Sequence, residues 1–347
     1  MGKRGVTMKR ILLHTLLIFG LATGLLSGAA QAQDNSDFFD QELLDRSSVQ
    51  EFIDKMVSKH KFERKWMKKL FQDMKPRKKI VKAISNPAER KKWFQYKPIF
   101  IRKERVLGGI GFKKIHNGTL SRAHKEYGVP PEIITSIIGI ETKYGMNTGK
   151  FRVIDSLATL AFNYPKRSKF FLGELEHFLL LTREEELDPY KIRGSYAGAM
   201  GKPQFISSSY RNYAVDYDGD NKRDLWRSNS DIIGSVANYF KRHKWKANEP
   251  IAVKAKVSGN GWKKATLNKL KPQHTVGDLR LMGIKPTQPL DDNMPANLLV
   301  LDTKNGKEYW ITLHNFYVIT RYNHSSMYAM AAFQLSQLIN GTTTLEK

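Results

Sequence analysis

Glu141 lies where a row of apolar residues would continue along a helix. Ile134, Ile137 and Ile138 recur at helical spacing, and Glu141 follows them on the same face. A carboxyl group on an apolar face loses hydration, which favours its neutral form and raises its pKa. A general acid that works near neutral pH needs such a pKa. The pattern predicts a catalytic acid; the alternative is an ordinary helix-end glutamate paired with Lys143.

The segment DYDGDNKRDLW has the residue types of an EF-hand-like calcium loop. Asp216, Asp218 and Asp220 offer oxygen ligands at the first, third and fifth positions. Two positions depart from the motif, because Asn221 replaces the glycine at the sixth and Arg227 replaces the glutamate at the twelfth. Asparagine tolerates a left-handed backbone. The alternative is an acidic turn that caps the following helix.

The segment from Arg193 to Asp220 combines small residues with uncharged polar ones. Its glycines permit close approach of the backbone, and Ser195 and Gln204 are suited to hydrogen bonds with sugar hydroxyls and acetamido groups. Six aromatic residues are candidates for stacking on sugar faces, although aromatic residues of this kind more often belong to the core: Tyr96, Tyr164, Phe205, Tyr239, Tyr322 and Tyr328.

Mostly helical elements must position these residues. HNGTLSRAHKEYGVPPEIITSIIGIETKYG reads as two helices divided by GVPP, with proline as a start signal and Gly145 as a stop signal. Helical patterns also cover SLATLAFNY, SKFFLGELEHFLLLTREEEL, SDIIGSVANYFKRHKW and SMYAMAAFQLSQLI. From about residue 249, IAVKAKV and two β-rich runs around Asn305-Gly306 predict strands and a hairpin.

The composition is that of a globular protein with a strong positive charge. The 347 residues carry a formal net charge of +25 and no cysteine. Such a field favours polyanions, namely nucleic acid, an anionic membrane or an acidic polysaccharide. The lack of cysteine excludes disulfides and a lipid-modified lipobox cysteine.

The first 32 residues resemble a secretory signal peptide. A basic leader precedes the apolar run ILLHTLLIFGLATGLLSG, and Ala30-Gln31-Ala32 fits a cleavage site that leaves a mature start at Gln33. The alternative is a membrane anchor, since the run approaches spanning length. Cleavage predicts a soluble periplasmic protein with no stable membrane anchor, and export argues against nucleic acid as a partner.

Six segments together resemble the family of membrane-bound lytic murein transglycosylase B and its soluble relatives. They are IETKYG, FNYPKRSKFF, GSYAGAMGKPQF, SSSYRNYAVD, GSVANYFKRHKW and TRYNHSSMYAMA. The resemblance implies a lysozyme-like core that cleaves peptidoglycan glycan strands between N-acetylmuramic acid and N-acetylglucosamine. It implies formation of a 1,6-anhydro sugar by the muramic 6-hydroxyl, with Glu141 as the single acid and base and no organic cofactor.

The same resemblance implies the substrate-binding residues. Ser195 and Gln204 would contact the reacting sugars, and Lys166 and Arg167 would attend carboxylates of the peptide or lactyl group. The family more often has two arginines at this pair, and lysine lacks the fork that binds a carboxylate in bidentate fashion. The aromatic and amide groups implied around the scissile bond are Tyr239, Tyr322, Asn323, Tyr328 and Tyr96, with Phe205 as a further candidate.

For the calcium loop, the resemblance implies a structural ion and a late final ligand. Asp231 would supply that carboxylate, and Lys222 would contribute its backbone carbonyl. The stretch RSNSD is one residue longer than in the relatives, which leaves the register of the last ligand open.

Two other functions compete with the transglycosylase. A muramidase would hydrolyse the same bond and needs a second carboxylate, for which Asp155, Glu174 and Asp188 are candidates. A non-catalytic wall-binding protein would use charge and aromatic residues alone, but it would have no need of Glu141.

The expected fold is α+β and mainly α. A lysozyme-like catalytic core is combined with a helical N-terminal domain and a small antiparallel β insertion. The expected divisions are a signal peptide at 1–32, a basic helical domain at 33–115, the catalytic core with its EF-hand-like loop at 116–248, a small β domain at 249–321 and a C-terminal helix at 322–347 that returns to the core.

Overall fold

The computed structural model describes residues 43–85 and 91–344, so the expected signal peptide lies outside the described residues. Among the described helices, none is long and apolar enough to cross a membrane. The N-terminal half is helical. Its elements are α1 (Ser47–His60), α2 (Arg64–Gln72), α3 (Lys78–Ile84), α4 (Trp93–Phe100), α5 (Lys103–Ile115), α6 (Asn117–Tyr127) and α7 (Pro131–Thr142).

The middle of the chain adds helices and one short ribbon. Strands β1 (Phe151–Arg152) and β2 (Arg193–Gly194) pair antiparallel and enclose two long helices. The helices of this region are α8 (Val153–Asn163), α9 (Ser168–Glu184), α10 (Ser207–Tyr213) and α11 (Asn229–Arg242). The predicted division of α6 from α7 is confirmed, because Gly128 ends α6 in a left-handed conformation and Pro131 begins α7.

The predicted β insertion is a five-stranded antiparallel sheet in the order β4-β6-β7-β3-β5. Strands β6 and β7 form the expected hairpin, with Thr303 opposite Gly306. The elements are β3 (Ala252–Val257), β4 (His274–Thr275), α12 (Val276–Leu281), β5 (Ile284–Pro286), β6 (Pro295–Thr303) and β7 (Gly306–Thr312).

Both faces of the sheet are covered. Leu299 and Leu301 on one face belong to the main hydrophobic core. Leu298 and Ile311 on the other face join a smaller cluster with residues of α12. Alternate residues of a strand point to opposite faces, so β6 divides its side chains between two cores and fixes the sheet against the helices.

The last helices, α13 (His314–Tyr322) and α14 (Ser326–Ile339), return to the main core. This core also takes in residues of α1 to α4, so the N-terminal helices share it with the helices of the middle of the chain. Helix α13 follows β7 and begins at His314, and its residues Phe316, Val318 and Ile319 are buried in that core.

Candidate active site

Helix α7 carries Glu141 in its last turn. The helix forms because Pro130 and Pro131 start it and an isoleucine stripe buries its face, with Ile134, Ile137 and Ile138 fully buried. Glu141 continues the stripe, as the spacing predicts. Burial raises the pKa of its carboxyl from 4.5 to about 7, so about half of the groups carry the proton at neutral pH.

Tyr328 is the hydrogen-bond partner of Glu141. Its hydroxyl lies 2.5 Å from Glu141 Oε1 and donates to it. Tyr328 is 3% exposed, and burial together with the glutamate raises its own pKa, so the hydroxyl keeps its proton. Among the residues that the structure describes, Glu141 forms no ion pair with Lys143, and burial and the Tyr328 hydrogen bond account for the shift of its pKa.

The Tyr144 side chain packs between α5 and the end of α7. Three glycines leave room for its ring, because a Cβ at Gly109 or Gly139 would lie 2.5 Å from its hydroxyl and one at Gly108 would lie 2.9 Å from the ring. The hydroxyl donates to the carbonyl of Arg105 at 2.7 Å. The sequence reasoning missed this residue, although the paired Gly108-Gly109 and the lone helical Gly139 were a readable signal of close packing.

Glycine-rich loops present Ser195 and Gln204. The Ser195 hydroxyl accepts the amides of Ala197 and Ala199 at 3.2 and 3.0 Å, so its own hydrogen is available for a ligand. Gln204 has a left-handed backbone with φ of 51°. Its amide nitrogen donates to the carbonyls of Thr148 and Gly201 within the loop, at 3.1 and 2.9 Å. These bonds fix the orientation of its carboxamide.

Several predicted aromatic residues form a buried layer. The ring of Tyr322 lies 4.8 Å from Tyr239 and 5.9 Å from Phe205, and all three residues are at most 5% exposed. The Tyr239 and Tyr322 hydroxyls donate to the carbonyls of Arg321 and Pro203, each at 2.5 Å. Phe205 at 1% exposure therefore supports the site and offers no face to a sugar.

Tyr96 is buried as well, at 2% exposure. Its ring packs against Trp93 and Phe100. Tyr164 is only half-buried at the end of α8. Of the aromatic candidates, Tyr328 is the one whose side chain the structure describes as hydrogen-bonded to Glu141.

Asn323 has a side-chain acceptor without a described partner. Its Oδ1 is buried and finds no donor within the described part of the chain. Buried polar atoms are almost always hydrogen-bonded. The residue follows Tyr322 directly, so this unpartnered acceptor adjoins the aromatic layer.

Lys166 and Arg167 lie in a short 3-10 helix, Pro165–Arg167. Lys166 is exposed, while the Arg167 guanidinium is half-buried over the rings of Phe170 and Phe171, at 4.3 and 5.3 Å. Burial lowers the pKa of Arg167. Lys166 is thus the exposed cation of this pair, and Arg167 is the one packed on aromatic rings.

The three candidates for a second carboxylate all have structural partners. Asp155 is 1% exposed and binds Arg152 through two hydrogen bonds, at 2.9 and 2.7 Å. Glu174 accepts the backbone amide and the hydroxyl of Ser208. Asp188 caps the amide of Tyr190 and pairs with Lys191. None of them is hydrogen-bonded to Glu141.

The acidic loop gathers oxygen atoms at one point. Asp216, Asp218 and Asp231 each offer a carboxylate oxygen, and these oxygens lie within 4.8 Å of one another. Asp231 is fully buried at the start of α11, where it accepts the amides of Tyr217 and Asp224 at 2.7 and 2.8 Å. The late carboxylate is thus in reach of the loop.

The remaining loop residues have local partners. Asn221 at the sixth position has φ of 67°, the left-handed conformation expected for it. Asp220 lies outside the cluster and accepts the Lys222 amide at 2.9 Å. Carboxylate oxygens are hard donors, and three carboxylates clustered in this way suit Ca²⁺, which takes six to eight oxygen ligands.

Comparison with known proteins agrees with this geometry. Residues 44–337 match the family model described as the transglycosylase SLT domain. The chain belongs to the transglycosylase SLT family. This lytic transglycosylase is 43% identical over 329 residues to membrane-bound lytic murein transglycosylase B of Escherichia coli K12, covering 91% of this chain and 90% of the relative.

Two solved lytic transglycosylases share the fold. The Escherichia coli enzyme Slt35 in complex with calcium has a TM-score of 0.80 and 44% identity, covering 85% of this lytic transglycosylase and 93% of that chain. SltB3 from Pseudomonas aeruginosa in complex with NAG-anhNAM-pentapeptide has a TM-score of 0.76 and 30% identity, covering 85% and 79%. The expected fold class, mainly α with a lysozyme-like core, is confirmed.

Proposed function

We propose that Glu141 is the single acid and base of a lytic murein transglycosylase reaction on peptidoglycan. The bond cleaved is the β-1,4 bond between N-acetylmuramic acid and N-acetylglucosamine, and the product ends in 1,6-anhydromuramic acid. The observation that carries the proposal is the half-buried Glu141 carboxyl, which accepts a hydrogen bond from Tyr328 and has a pKa of about 7.

The reaction needs one proton donor that later becomes an acceptor. Neutral Glu141 donates its proton to the glycosidic oxygen, and the departing N-acetylglucosamine takes it as a hydroxyl group. The Tyr328 hydrogen bond stabilises the carboxylate that remains. The acetamido group of the substrate stabilises the cationic carbon, and the muramic 6-hydroxyl then bonds to C1 while Glu141 recovers a proton. No water enters the product.

The surrounding residues orient the sugars. The free hydroxyl hydrogen of Ser195, the fixed carboxamide of Gln204 and the unpartnered Oδ1 of Asn323 bind hydroxyl and acetamido groups. Tyr239, Tyr322, Tyr96 and Phe205 form the supporting layer, and Lys166 with Arg167 attracts carboxylates of the stem peptide.

The muramidase alternative is not favoured. A hydrolase would need a second carboxylate to activate water, and Asp155, Glu174 and Asp188 are held by other groups. The ligand of the Pseudomonas aeruginosa relative contains an anhydro muramic unit. The intramolecular hydroxyl has a large entropic advantage over water.

Calcium is the proposed structural ion. Asp216, Asp218 and Asp231 would hold it, completed by Asp220 and the carbonyl of Lys222. The calcium complex of the Escherichia coli relative supports this proposal. The ion would neutralise the clustered carboxylates and fix the loop before α11. Its role would be structural, because its ligands do not include Glu141.

The proposed location is the periplasm, after cleavage between Ala32 and Gln33. The basic leader, the apolar run and the small residues at the cleavage site support it. N-terminal sequencing of exported protein tests it, and a start at Met1 would contradict it.

Mass spectrometry of the products tests the reaction. Purified sacculi treated with the mature protein should release fragments that end in 1,6-anhydromuramic acid. Glu141→Gln should release none, whereas Glu132→Gln, which removes a carboxylate from the first turn of the same helix, should behave as the wild type. Reducing-end fragments heavier by one water would make the enzyme a hydrolase.

A further inference from the structure

A surface groove whose lining does not include Glu141 combines cationic side chains with indole rings. Two cavities of about 480 and 490 Å³ share one wall residue, Leu187, and so adjoin each other. The first contains the half-buried Trp226 and the second contains the half-buried Trp66. We call the two cavities together the rear groove.

The first cavity has an excess of positive charge. Its two acidic residues are already engaged, because Glu185 binds Arg223 and Asp224 accepts the amides of Trp226 and Arg227. Lys191 has a loose, exposed pair with Asp188 at 3.4 Å. Arg193 and Arg227 also line the cavity. The described structure gives neither of these arginines a carboxylate within 4.0 Å.

The second cavity also combines cationic side chains with aromatic rings. The rings of Phe62 and Trp66 stack with centroids 5.6 Å apart, and the Arg183 guanidinium lies over Phe62 at 4.3 Å. Arg183 also donates to the carbonyl of His60, which fixes its position. Rigid indole faces beside fixed and mobile cations suit a polymer that alternates sugar rings with carboxylates.

The groove adjoins the elements of the active site. Arg193 in β2 precedes Ser195 by two residues, and the Trp226 indole donates to the Arg193 carbonyl at 3.4 Å. The Lys202 amide donates to the carbonyl of Leu225, and the Lys202 carbonyl accepts from Thr142, the neighbour of Glu141. One wall is therefore connected to the loop that carries Ser195 and to the end of α7.

We propose that the rear groove is a second, non-catalytic binding site for peptidoglycan. Stem-peptide carboxylates bind Lys191, Arg193 and Arg227, and sugar rings pack on Trp226 and Trp66. The site holds the enzyme on the sacculus while the catalytic cleft acts on a strand. This proposal rests on the proposed function, because that function makes peptidoglycan the polymer encountered.

Charge reversal in the groove tests the proposal. The double variant Lys191→Glu/Arg227→Glu is made in the Glu141→Gln background, so that no cleavage occurs during the assay. The control, Lys263→Glu/Lys264→Glu in the same background, makes the same charge change at exposed residues of the β unit. The affinity for purified sacculi is measured by co-sedimentation at low and physiological salt.

The groove variant should lose about tenfold in affinity, and the control about twofold or less. Equal losses in the two variants would overturn the proposal, since the effect would then be one of net charge. The proposal would also be overturned if the groove variant lost as much affinity for heparin as for sacculi, because the site would then accept any polyanion.

Two further measurements separate a folding defect from a binding defect. Arg227 flanks the acidic loop, so its substitution could disturb that loop. The melting temperatures of both double variants are therefore measured with and without calcium, and the calcium-dependent shift should be the same in both. The Trp226 indole N–H resonance should shift when a muropeptide bearing its stem peptide is added to the Glu141→Gln protein, and the groove variant should lose this shift. The product masses of the parent enzyme test the reaction independently, so either proposal can fail alone.

Discussion

The Tyr328 hydroxyl in α14 donates a hydrogen bond of 2.5 Å to Glu141 in α7, although the two residues are 187 positions apart in the chain. The two influences on the glutamate oppose each other. Burial raises its pKa, and the hydrogen bond lowers it by stabilising the carboxylate. Their balance leaves a carboxyl group with a pKa of about 7, which suits the proposed role of donating a proton and then accepting one.

The pH profile of kcat/KM should show this balance. Because protonated Glu141 is the active form, the rate should fall as the pH rises through about 7. Tyr328→Phe removes the bond that favours the carboxylate, so the falling limb should move to higher pH while the maximal rate declines about ten- to a hundredfold. A limb that stays in place or moves to lower pH would show that Tyr328 does not tune this acid.

Stability should depend on pH through the same group. The folded pKa of Glu141 lies above its usual value of 4.5, so its stabilising contribution is complete below 4.5 and is lost as the pH rises through about 7. Glutamine does not ionise, so the stability of Glu141→Gln lacks this pH-dependent loss. Its free energy of unfolding should exceed that of the wild type by up to about 2 kcal/mol at pH 9, and the difference should shrink towards pH 4. Urea unfolding at both pH values measures this; a constant difference would contradict it.

The glycines around Tyr144 should be sensitive to added volume. Gly139→Ala would place a Cβ 2.5 Å from the Tyr144 hydroxyl and force α5 and α7 apart. We expect a loss of about 2 kcal/mol in the free energy of unfolding, together with a loss of activity, because Glu141 shares the helix. The matched control is Gly111→Ala in α5, where no atom lies within 4 Å of the added Cβ.

Gly111→Ala should be neutral or should stabilise the protein by up to about 1 kcal/mol, since alanine favours a helix. Chemical unfolding and single-turnover cleavage of the two variants provide the comparison. Equal stabilities would mean that Tyr144 adapts to the extra methyl group.

Calcium should raise the melting temperature of the wild type. Asp218→Asn should weaken this shift with little effect in chelator, because Asp218 is exposed and its one described hydrogen bond is from the Ser228 hydroxyl. Asp302→Asn, an exposed change in the β6–β7 hairpin, serves as the control. Differential scanning calorimetry with and without calcium decides the matter; an unchanged wild-type melting temperature at millimolar calcium would exclude the ion.

The amino-acid sequence by itself determined the local elements and the buried face on which Glu141 lies. Helix α7, the GVPP break and the β6–β7 hairpin follow from apolar periodicity and from proline and glycine signals, which act over a few residues. The raised pKa of Glu141 also follows from this periodicity, because the apolar stripe dictates which face of α7 is buried. The left-handed Asn221 was readable from its residue type and place in the loop.

Tertiary structure alone decided which distant groups meet. Tyr328 reaches Glu141 only because α14 returns to the core after the sheet, and Asp231 joins Asp216 and Asp218 only because α11 begins beside the loop. The burial of Phe205 and the packing of Tyr144 among three glycines are likewise contacts between separate elements. Such contacts depend on how whole helices pack, whereas residue spacing specifies only the face that each helix buries.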